Sequence, residues 1–294
     1  MKRIGLLKKV LVNLFVFALL FTNAIVVHAE INPEHAIIGN NSPSTAYNIG
    51  HWKYKNIKTC AIDKDQTEAW FKFNMSSDEQ IYVTCSRSND YDGMNFVLYD
   101  ANTMDEVMRV SQIANPSNFI KFLAVRADGS RATSYFLKVE RGNYIGDMFF
   151  SLNFADRMKS TTKTFDFRGT ARNNGNSSMS LSGVDSSVIT VDLSRESSIP
   201  DGAIVKSVET SSRMSPSQGN VRHMLMPQTE STWYESSVSS ATSGYYYIDL
   251  SDEIPVKQRW SFKYNAKATA SSTMSNVKLR VNYLYDITSG WNFR

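Results

Sequence analysis

The chain has few of the residues that build metal and nucleophile sites. Of its 294 residues only two are cysteines, Cys60 and Cys85, and four are histidines. Two cysteines with no histidine at ligand spacing cannot hold a zinc ion, which takes four such ligands in structural sites. No Gly-x-Ser-x-Gly, His-Glu-x-x-His or phosphate-loop motif is present. The sequence therefore favours a protein that is not an enzyme.

Helical periodicity is also missing from most of the chain. Beyond residue 29, no run of ten or more residues repeats its apolar positions with the helical period of 3.6. Short runs alternate with period two instead, most clearly where Val277 and Leu279 alternate with Lys278 and Arg280. Such alternation is typical of strands with one buried and one solvated face. We expect an all-β protein made of two tandem β-sandwich domains of the jelly-roll type.

The first 29 residues have the pattern of a secretory signal peptide. Four bases precede an apolar run at 10–21, and small residues lead up to Ala29. A retained membrane anchor is the alternative, but Asn13 and Thr22 interrupt or end a run that is already shorter than the about 20 residues of a spanning helix. We expect cleavage after Ala29, a secreted extracellular protein and no transmembrane segment in the mature chain.

The signal peptide also accounts for the basic character of the chain. The sequence has 32 Lys and Arg against 28 Asp and Glu, and four of those bases lie within residues 1–29, which contain no acid. The mature chain would therefore carry 28 bases and 28 acids, a formal charge of zero. We expect no nucleic-acid partner, because such binding needs a basic surface.

Composition changes near a polar stretch at 156–164. The segment that follows contains no cysteine and is dense in Ser and Thr. We therefore predict a first domain at 30–155, a linker at 156–164 and a second domain at 165–294.

The two cysteines both lie in the first predicted domain. In the strand pattern, Cys85 shares a face with Ile81 and Val83, and Cys60 shares one with Ile62. Both sulfurs should therefore point into one core, and an extracellular protein permits a disulfide between them. The alternative is two separate buried thiols.

Four segments of the first half resemble the bacterial pre-peptidase C-terminal domain family. They are 40–49 (NNSPSTAYNI), 63–73 (DKDQTEAWFKF), 94–100 (MNFVLYD) and 134–140 (SYFLKVE). The resemblance implies a small secreted β-sandwich of the kind usually joined to extracellular peptidases, where it assists substrate attachment, solubility or secretion. No peptidase domain is visible in this chain.

Some members of that family bind calcium, which implies a candidate site here. Its ligands would be Asn40 and Asn41 together with Asp90 and Asp92, because calcium prefers clustered carboxylate and carbonyl oxygens. Turns also favour Asn and Asp, so these residues have an alternative role as turn formers. No other cofactor is expected.

Aromatic residues in the second half are candidates for ligand binding. Trp233 and Tyr234 lie in a polar segment without strand periodicity, and residues 245–247 are three consecutive tyrosines, so at least one must face away from the core. Sugar rings stack on such faces, so we predict a binding site at Trp233, Tyr234 and Tyr246. Trp233 has the alternative role of covering the end of the sandwich.

Together these features predict a secreted, non-catalytic protein that attaches to an extracellular polymer or protein surface. A first alternative is a secreted hydrolase with two facing carboxylates in the second domain. A second is a β-pore-forming toxin that inserts the Ser- and Thr-rich stretches 236–243 and 268–275, although these lack regular apolar alternation.

Overall fold

The structure is a computed structural model that describes residues 31–32, 34–55, 57–241 and 243–294. The predicted signal peptide, 1–29, lies outside the described residues. Within them almost all regular structure is β-strand, accompanied by two short 3-10 helices, Pro43–Thr45 and Trp52–Tyr54. The predicted all-β class is therefore confirmed.

The first part of the described chain, up to residue 156, folds into two facing layers of strands. Strands β1 to β11 are Ala36–Ile37, Tyr47–His51, Thr59–Ile62, Glu68–Asn74, Gln80–Ser86, Asn95–Asp100, Glu106–Val110, Phe122–Asp128, Ser134–Glu140, Met148–Phe150 and Leu152–Asp156. One layer has the order β2-β4-β9-β6-β7. The other contains the ladders β1-β3-β10 and β11-β5-β8, which are continuous because only Ser151 separates β10 from β11.

The second part of the chain also forms two sheets, and its longest strands exceed those of the first part. Strands β12 to β21 are Met158–Asp166, Ala171–Asn173, Val184–Asp185, Ile189–Asp192, Ile204–Ser215, Val221–Pro227, Tyr234–Glu235, Tyr246–Ile248, Arg259–Ala266 and Ser272–Asp286. One sheet has the order β12-β21-β16-β19, with β13 also pairing with β21. The other has the order β14-β20-β17-β18, with β15 also pairing with β20.

Each part has its own hydrophobic core, and alternation along the strands builds it. The first core gathers buried side chains between Ile37 and Phe154, and the second gathers those between Phe167 and Tyr283. In β21, Val277 and Leu279 are fully buried while Lys278 between them is exposed. Burying one such apolar side chain contributes roughly 1.5–3 kcal/mol, so a two-residue period is enough to orient the strand.

The stretch 156–164, predicted to be a linker, is largely strand. Strand β11 ends at Asp156 and β12 begins at Met158, and β12 pairs with β21 along its whole length. The stretch is polar because β12 is the edge strand of its sheet, where most side chains remain partly exposed. The expectation of a linker was therefore wrong: the polar composition reflected solvation of a strand.

Residues 286–294 connect the second part of the chain to the first. Asp286, the last residue of β21, lies 3.2 Å from Nε of Arg157 and 3.8 Å from Nη2 of Arg126. Arg126 then donates to the Thr288 hydroxyl at 2.9 Å and to its carbonyl at 2.8 Å. Farther along, the carbonyl of Arg294 accepts the backbone N–H groups of residues 111 and 112. Residues 287–294, which we call the tail, therefore lie on the first part of the chain.

The two cysteines are buried in the first core, but they are free thiols, so the predicted disulfide is wrong. Cys60 pairs with Phe150, and Cys85 pairs with Leu152 on the same continuous segment. Ser151 accepts a hydrogen bond from the strand that carries Cys85, and neighbouring residues of a strand turn their backbone groups to opposite edges.

The cysteines therefore flank that central segment on its two edges. Two strand spacings put their Cα atoms about 10 Å apart. A disulfide requires about 7 Å or less. The alternation identified the inward face of each cysteine, but it carried no information on which strand lies between them.

We predict that the folded protein shows no reactive thiol and the unfolded protein shows two. Burial raises the pKa of Cys60 to about 12 and that of Cys85 well above its usual range, so neither forms the reactive thiolate near neutral pH. Titration with a thiol reagent before and after denaturation, without reductant, measures this. Absence of thiols in the denatured chain would show instead that a disulfide forms.

Candidate functional site

The three consecutive tyrosines of the second part divide between core and surface. Tyr245 and Tyr247 are 64% and 54% exposed, whereas Tyr246 between them is buried. Strand β19 pairs with β16, so its side chains alternate between the inner and outer faces of the sheet. The prediction that at least one tyrosine faces away from the core is therefore confirmed.

Tyr246, the tyrosine predicted to bind a ligand, is buried and exposes little of its ring. Its ring stacks on His223 with centroids 3.7 Å apart and an angle of 14° between the planes. Its hydroxyl donates to the carbonyl of Ala241 at 2.5 Å. Which tyrosine takes the inner face of β19 depends on the pairing of this strand with β16, and the run of identical residues conceals that pairing.

Trp233 and Tyr234 are partly buried, each with an intramolecular partner. The ammonium of Lys263 lies 4.4 Å from the centre of the Trp233 ring and also contacts Asp185. Tyr234 packs against the second core, and its hydroxyl donates to Ser251 at 3.0 Å. These contacts fit a residue pair that covers the end of the sandwich, and neither residue lines the groove described next.

A groove of about 460 Å³ lies beside the tyrosines. It is lined by Glu235, Ser236, Ser237, Val238, Ser239, Ala241, Ser243, Gly244, Tyr245, Tyr246, Tyr247 and Asp249. One wall is β19 and the other is the Ser-rich stretch 236–241, which isolated bridges from Ser236 and Ser239 tie to the sheets. The groove is therefore mostly hydroxyl-lined, with aromatic rings along one side.

A polar strip continues from the groove across the outer face of the sheet. Glu209 lies between Tyr247 and Arg280 in the strand register, and the Arg280 guanidinium contacts the Glu209 carboxylate at 2.8 Å. The same guanidinium lies 5.4 Å from the Tyr245 ring. A shallower depression of about 170 Å³ follows, lined by Thr162, Ser207, Glu209, Arg280 and Asn282. Aromatic and hydrogen-bonding groups thus share one exposed face.

His223 lies under this site, fully buried between the two sheets. Its Nδ1 is 2.8 Å from the hydroxyl of Thr210 on β16, and its backbone N–H donates to Ser236 at 3.0 Å. Its ring supports Tyr246, so His223 connects β16 and β19 through its side chain and the wall of the groove through its backbone. Burial lowers the pKa of His223 to about 3. These contacts depend on which strands pair with β17, so the sequence alone does not reveal them.

Acidic side chains of the second part occur mainly in ion pairs. Asp185 contacts Lys263, Asp192 contacts Arg259, Asp201 contacts Lys257, Asp166 contacts Lys278, and Glu235 contacts Arg222. Burial raises the pKa of Asp185, but hydrogen bonds from Asn265 and Lys263 outweigh that effect and lower it overall. Glu235 and Asp249 line the same groove and are the pair that the hydrolase alternative would use.

The four candidate calcium ligands make separate local contacts. Asn40 is buried, and its amide donates to the Trp70 carbonyl at 2.6 Å. Asp92 is exposed, with Arg87 at 3.7 Å from its carboxylate, and Gly93 beside it has φ of 71°, as turns require. None of the hydrogen bonds or ion pairs of Asn40 and Asn41 connects them with Asp90 or Asp92.

Across the described ranges, no group of three or more His, Cys, Asp or Glu side chains is arranged to hold a metal ion. Nor does any helix in those ranges combine the length and apolar character needed to cross a membrane.

We predict that acid destabilises the protein through His223. Its pKa is about 3 in the folded chain against 6.5 as the ordinary value, so between these values the unfolded chain binds a proton that the folded chain excludes. The free energy of unfolding should keep its full value above pH 6.5 and fall as the pH drops towards 3. The expected loss is about 2 kcal/mol at pH 5. Urea unfolding at pH 7, 6 and 5 measures this.

His223→Gln should be less stable at pH 7 but should lose less stability between pH 7 and 5. His35→Gln, at an exposed position, is the matched control and should keep the wild-type slope. Equal slopes in wild type and His223→Gln would contradict the prediction.

For calcium we predict equal melting temperatures in millimolar calcium and in chelator. The local partners of Asn40 and Asp92 already account for their positions, which favours the turn-forming role. A calcium-dependent rise of several degrees that Asp92→Ala removes would establish the calcium site instead.

Comparison with known proteins gives one strong relative. No family model matches the chain. A solved structure of a candidate secreted protein from Eubacterium rectale is similar over 84% of this chain and 81% of that one, at 11% identity and a TM-score of 0.40. The pre-peptidase C-terminal domain of collagenase from Bacillus anthracis is similar over 37% of this chain and 94% of that one, at 17% identity and a TM-score of 0.27. Neither similarity extends to function.

The strong relative is the uncharacterized protein YbdN of Bacillus subtilis (strain 168). It is 47% identical over 254 residues, which cover 86% of this chain and 89% of that protein. At this identity and coverage the two share one evolutionary origin, and the chain belongs to the same family as YbdN.

Proposed function

We propose that the protein is a secreted, non-catalytic binding protein that attaches to an extracellular polysaccharide through the outer face of its second part. The observation that carries this proposal is the pair Tyr245 and Tyr247, two exposed rings beside a hydroxyl-lined groove and a polar strip. A signal-peptide pattern at 1–29 supports an extracellular location.

The geometry of the two tyrosines suits a chain of sugar rings. Positions two residues apart on a strand are separated by roughly 7 Å and point to the same side. Each ring offers an apolar face for stacking, while Glu209, Arg280 and the serines of the groove offer donors and acceptors for sugar hydroxyls. The Arg280 guanidinium near the Tyr245 ring also restricts that ring, which lowers the entropy lost on binding.

The ion pairs of the second part favour binding over hydrolysis. A glycosidase needs one carboxyl group that donates a proton and a second that acts as base or nucleophile. Glu235 lies 2.5 Å from Arg222, so one of the two groove carboxylates is already engaged in an ion pair. Glu235 and Asp249 nevertheless both line the groove, so a hydrolase that uses them is the second candidate function.

We expect loss of either exposed tyrosine to weaken attachment. Tyr245→Ala and Tyr247→Ala should each weaken retention about tenfold, equivalent to ~1.4 kcal/mol, because each removes one stacking surface. Pull-down of the purified protein on insoluble cellulose, chitin, purified cell wall and collagen measures this. Tyr54→Ala is the matched control, since Tyr54 is 84% exposed on the first part of the chain.

Equal retention of all three variants would contradict the proposed site. Retention on collagen alone would replace the polysaccharide by a protein surface. Release of reducing sugar that Glu235→Gln and Asp249→Asn both abolish would establish the hydrolase.

A further inference from the structure

A second groove lies on the first part of the chain, distant in sequence from the tyrosine site. Its volume is about 410 Å³. The residues that line it are Tyr82, Thr84, Ser86, Asn118, Ile120, Phe122, Ser151, Asn153, Ala155 and Trp291. Its floor is the outer face of β5 and β11, and its walls are the 115–120 loop and the tail.

The floor offers small hydrogen-bonding groups. Ser86 accepts hydrogen bonds from the backbone and hydroxyl of Ser151 at 2.8 and 3.1 Å. Thr84 and Asn153 face each other in the strand register, and their side chains form no hydrogen bond with any described residue. Their polar atoms are therefore free to bind a ligand that lies along the strands.

The aromatic wall depends on the tail. The Trp291 ring packs against Tyr82 at 5.1 Å and Phe122 at 5.3 Å between centroids. The next residue, Asn292, fixes it by donating its backbone N–H to the carbonyl of residue 114 at 2.8 Å and its amide to Gln112 at 2.6 Å. The groove is thus complete only because a residue that follows β21 returns to the first part.

The chemistry of the lining selects a neutral ligand. A fifth of the chain is charged, yet none of the ten lining residues is Asp, Glu, Lys or Arg. The outer face of the opposite sheet, by contrast, carries the ion-pair network of Lys138, Glu140 and Arg109. Hydroxyls, amides and aromatic rings without charge match a neutral, hydroxyl-rich molecule whose rings can stack.

An apolar rim extends the groove. Phe119 is fully exposed and Ile120 is 68% exposed at the tip of the loop that forms one wall. Two apolar residues at a loop tip also suit insertion into a lipid surface, which is the rival class of partner. The polar floor favours the sugar chain, because a membrane would engage the rim alone and leave the floor unused.

We infer that this groove is a second binding site for a neutral glycan, completed by Trp291, and that the protein binds its polymer at two places. The inference rests on the proposed function, because it gives both sites the same class of ligand. Two linked sites on one polymer raise the apparent affinity by about 10²–10⁴ over one site, so each site should matter strongly on a long chain.

The experiment is affinity electrophoresis of the full chain in gels containing hydroxyethylcellulose, glycol chitin or galactomannan, with flotation on phosphatidylcholine vesicles in parallel. Asn153→Arg places a charged side chain on the exposed floor, and Asn102→Arg makes the same change in the exposed turn after β6 as its matched control. Trp291→Ala tests the wall, and Tyr245→Ala/Tyr247→Ala removes the other site. Circular dichroism melts verify folding of each variant.

We expect Asn153→Arg and Trp291→Ala to reduce retardation at least tenfold, Asn102→Arg to leave it unchanged, and the combination with the tyrosine variant to abolish it. If Asn153→Arg is retarded like the wild type and the tyrosine variant loses its retardation, the second site is overturned and the proposed function stands. Loss of retardation in Asn153→Arg, together with wild-type retardation in the tyrosine variant, would support this groove and overturn the tyrosine site. Flotation that Phe119→Ser abolishes, without any retardation, would assign the groove to a membrane.

Discussion

The relation between the two parts of the molecule depends on one charged junction. Only Arg157 separates β11 from β12, so the parts have almost no chain with which to adjust their orientation. Asp286 then contacts both Arg157 and Arg126, which links the end of β21 to the first part. Burial lowers the pKa of Arg126, whereas Asp286 raises it. One carboxylate therefore faces two partly buried guanidinium groups as an ion pair.

The junction positions the residues on which both grooves depend. Because Asp286 ends β21 at this point, the tail starts beside Arg126, and Trp291 reaches the outer face of β5. The same strand β21 forms the centre of the second sheet and carries Arg280 next to the exposed tyrosines. The linings of both grooves therefore depend on a single strand and its end.

The alternation of apolar and polar residues predicted the strands well, but it did not locate the candidate site. It placed Cys60 and Cys85 on inward faces, and both are buried. It did not identify Tyr246 as the inward tyrosine, since three identical residues give both faces the same pattern. It also could not show that β3 and β5 lie on opposite edges of the 148–156 segment, because strand order is a long-range property.

The sequence by itself determined the all-β class, since burial of apolar side chains every second residue is a local requirement that each strand records separately. Tertiary structure decided the rest: that 158–166 is an edge strand rather than a linker, that Tyr245 and Tyr247 are the exposed pair, and that Trp291 lies against Tyr82. Each of these depends on which strands become neighbours. Neighbouring strands are chosen by the packing of whole sheets and by the junction at Asp286, and no short stretch of sequence contains that information.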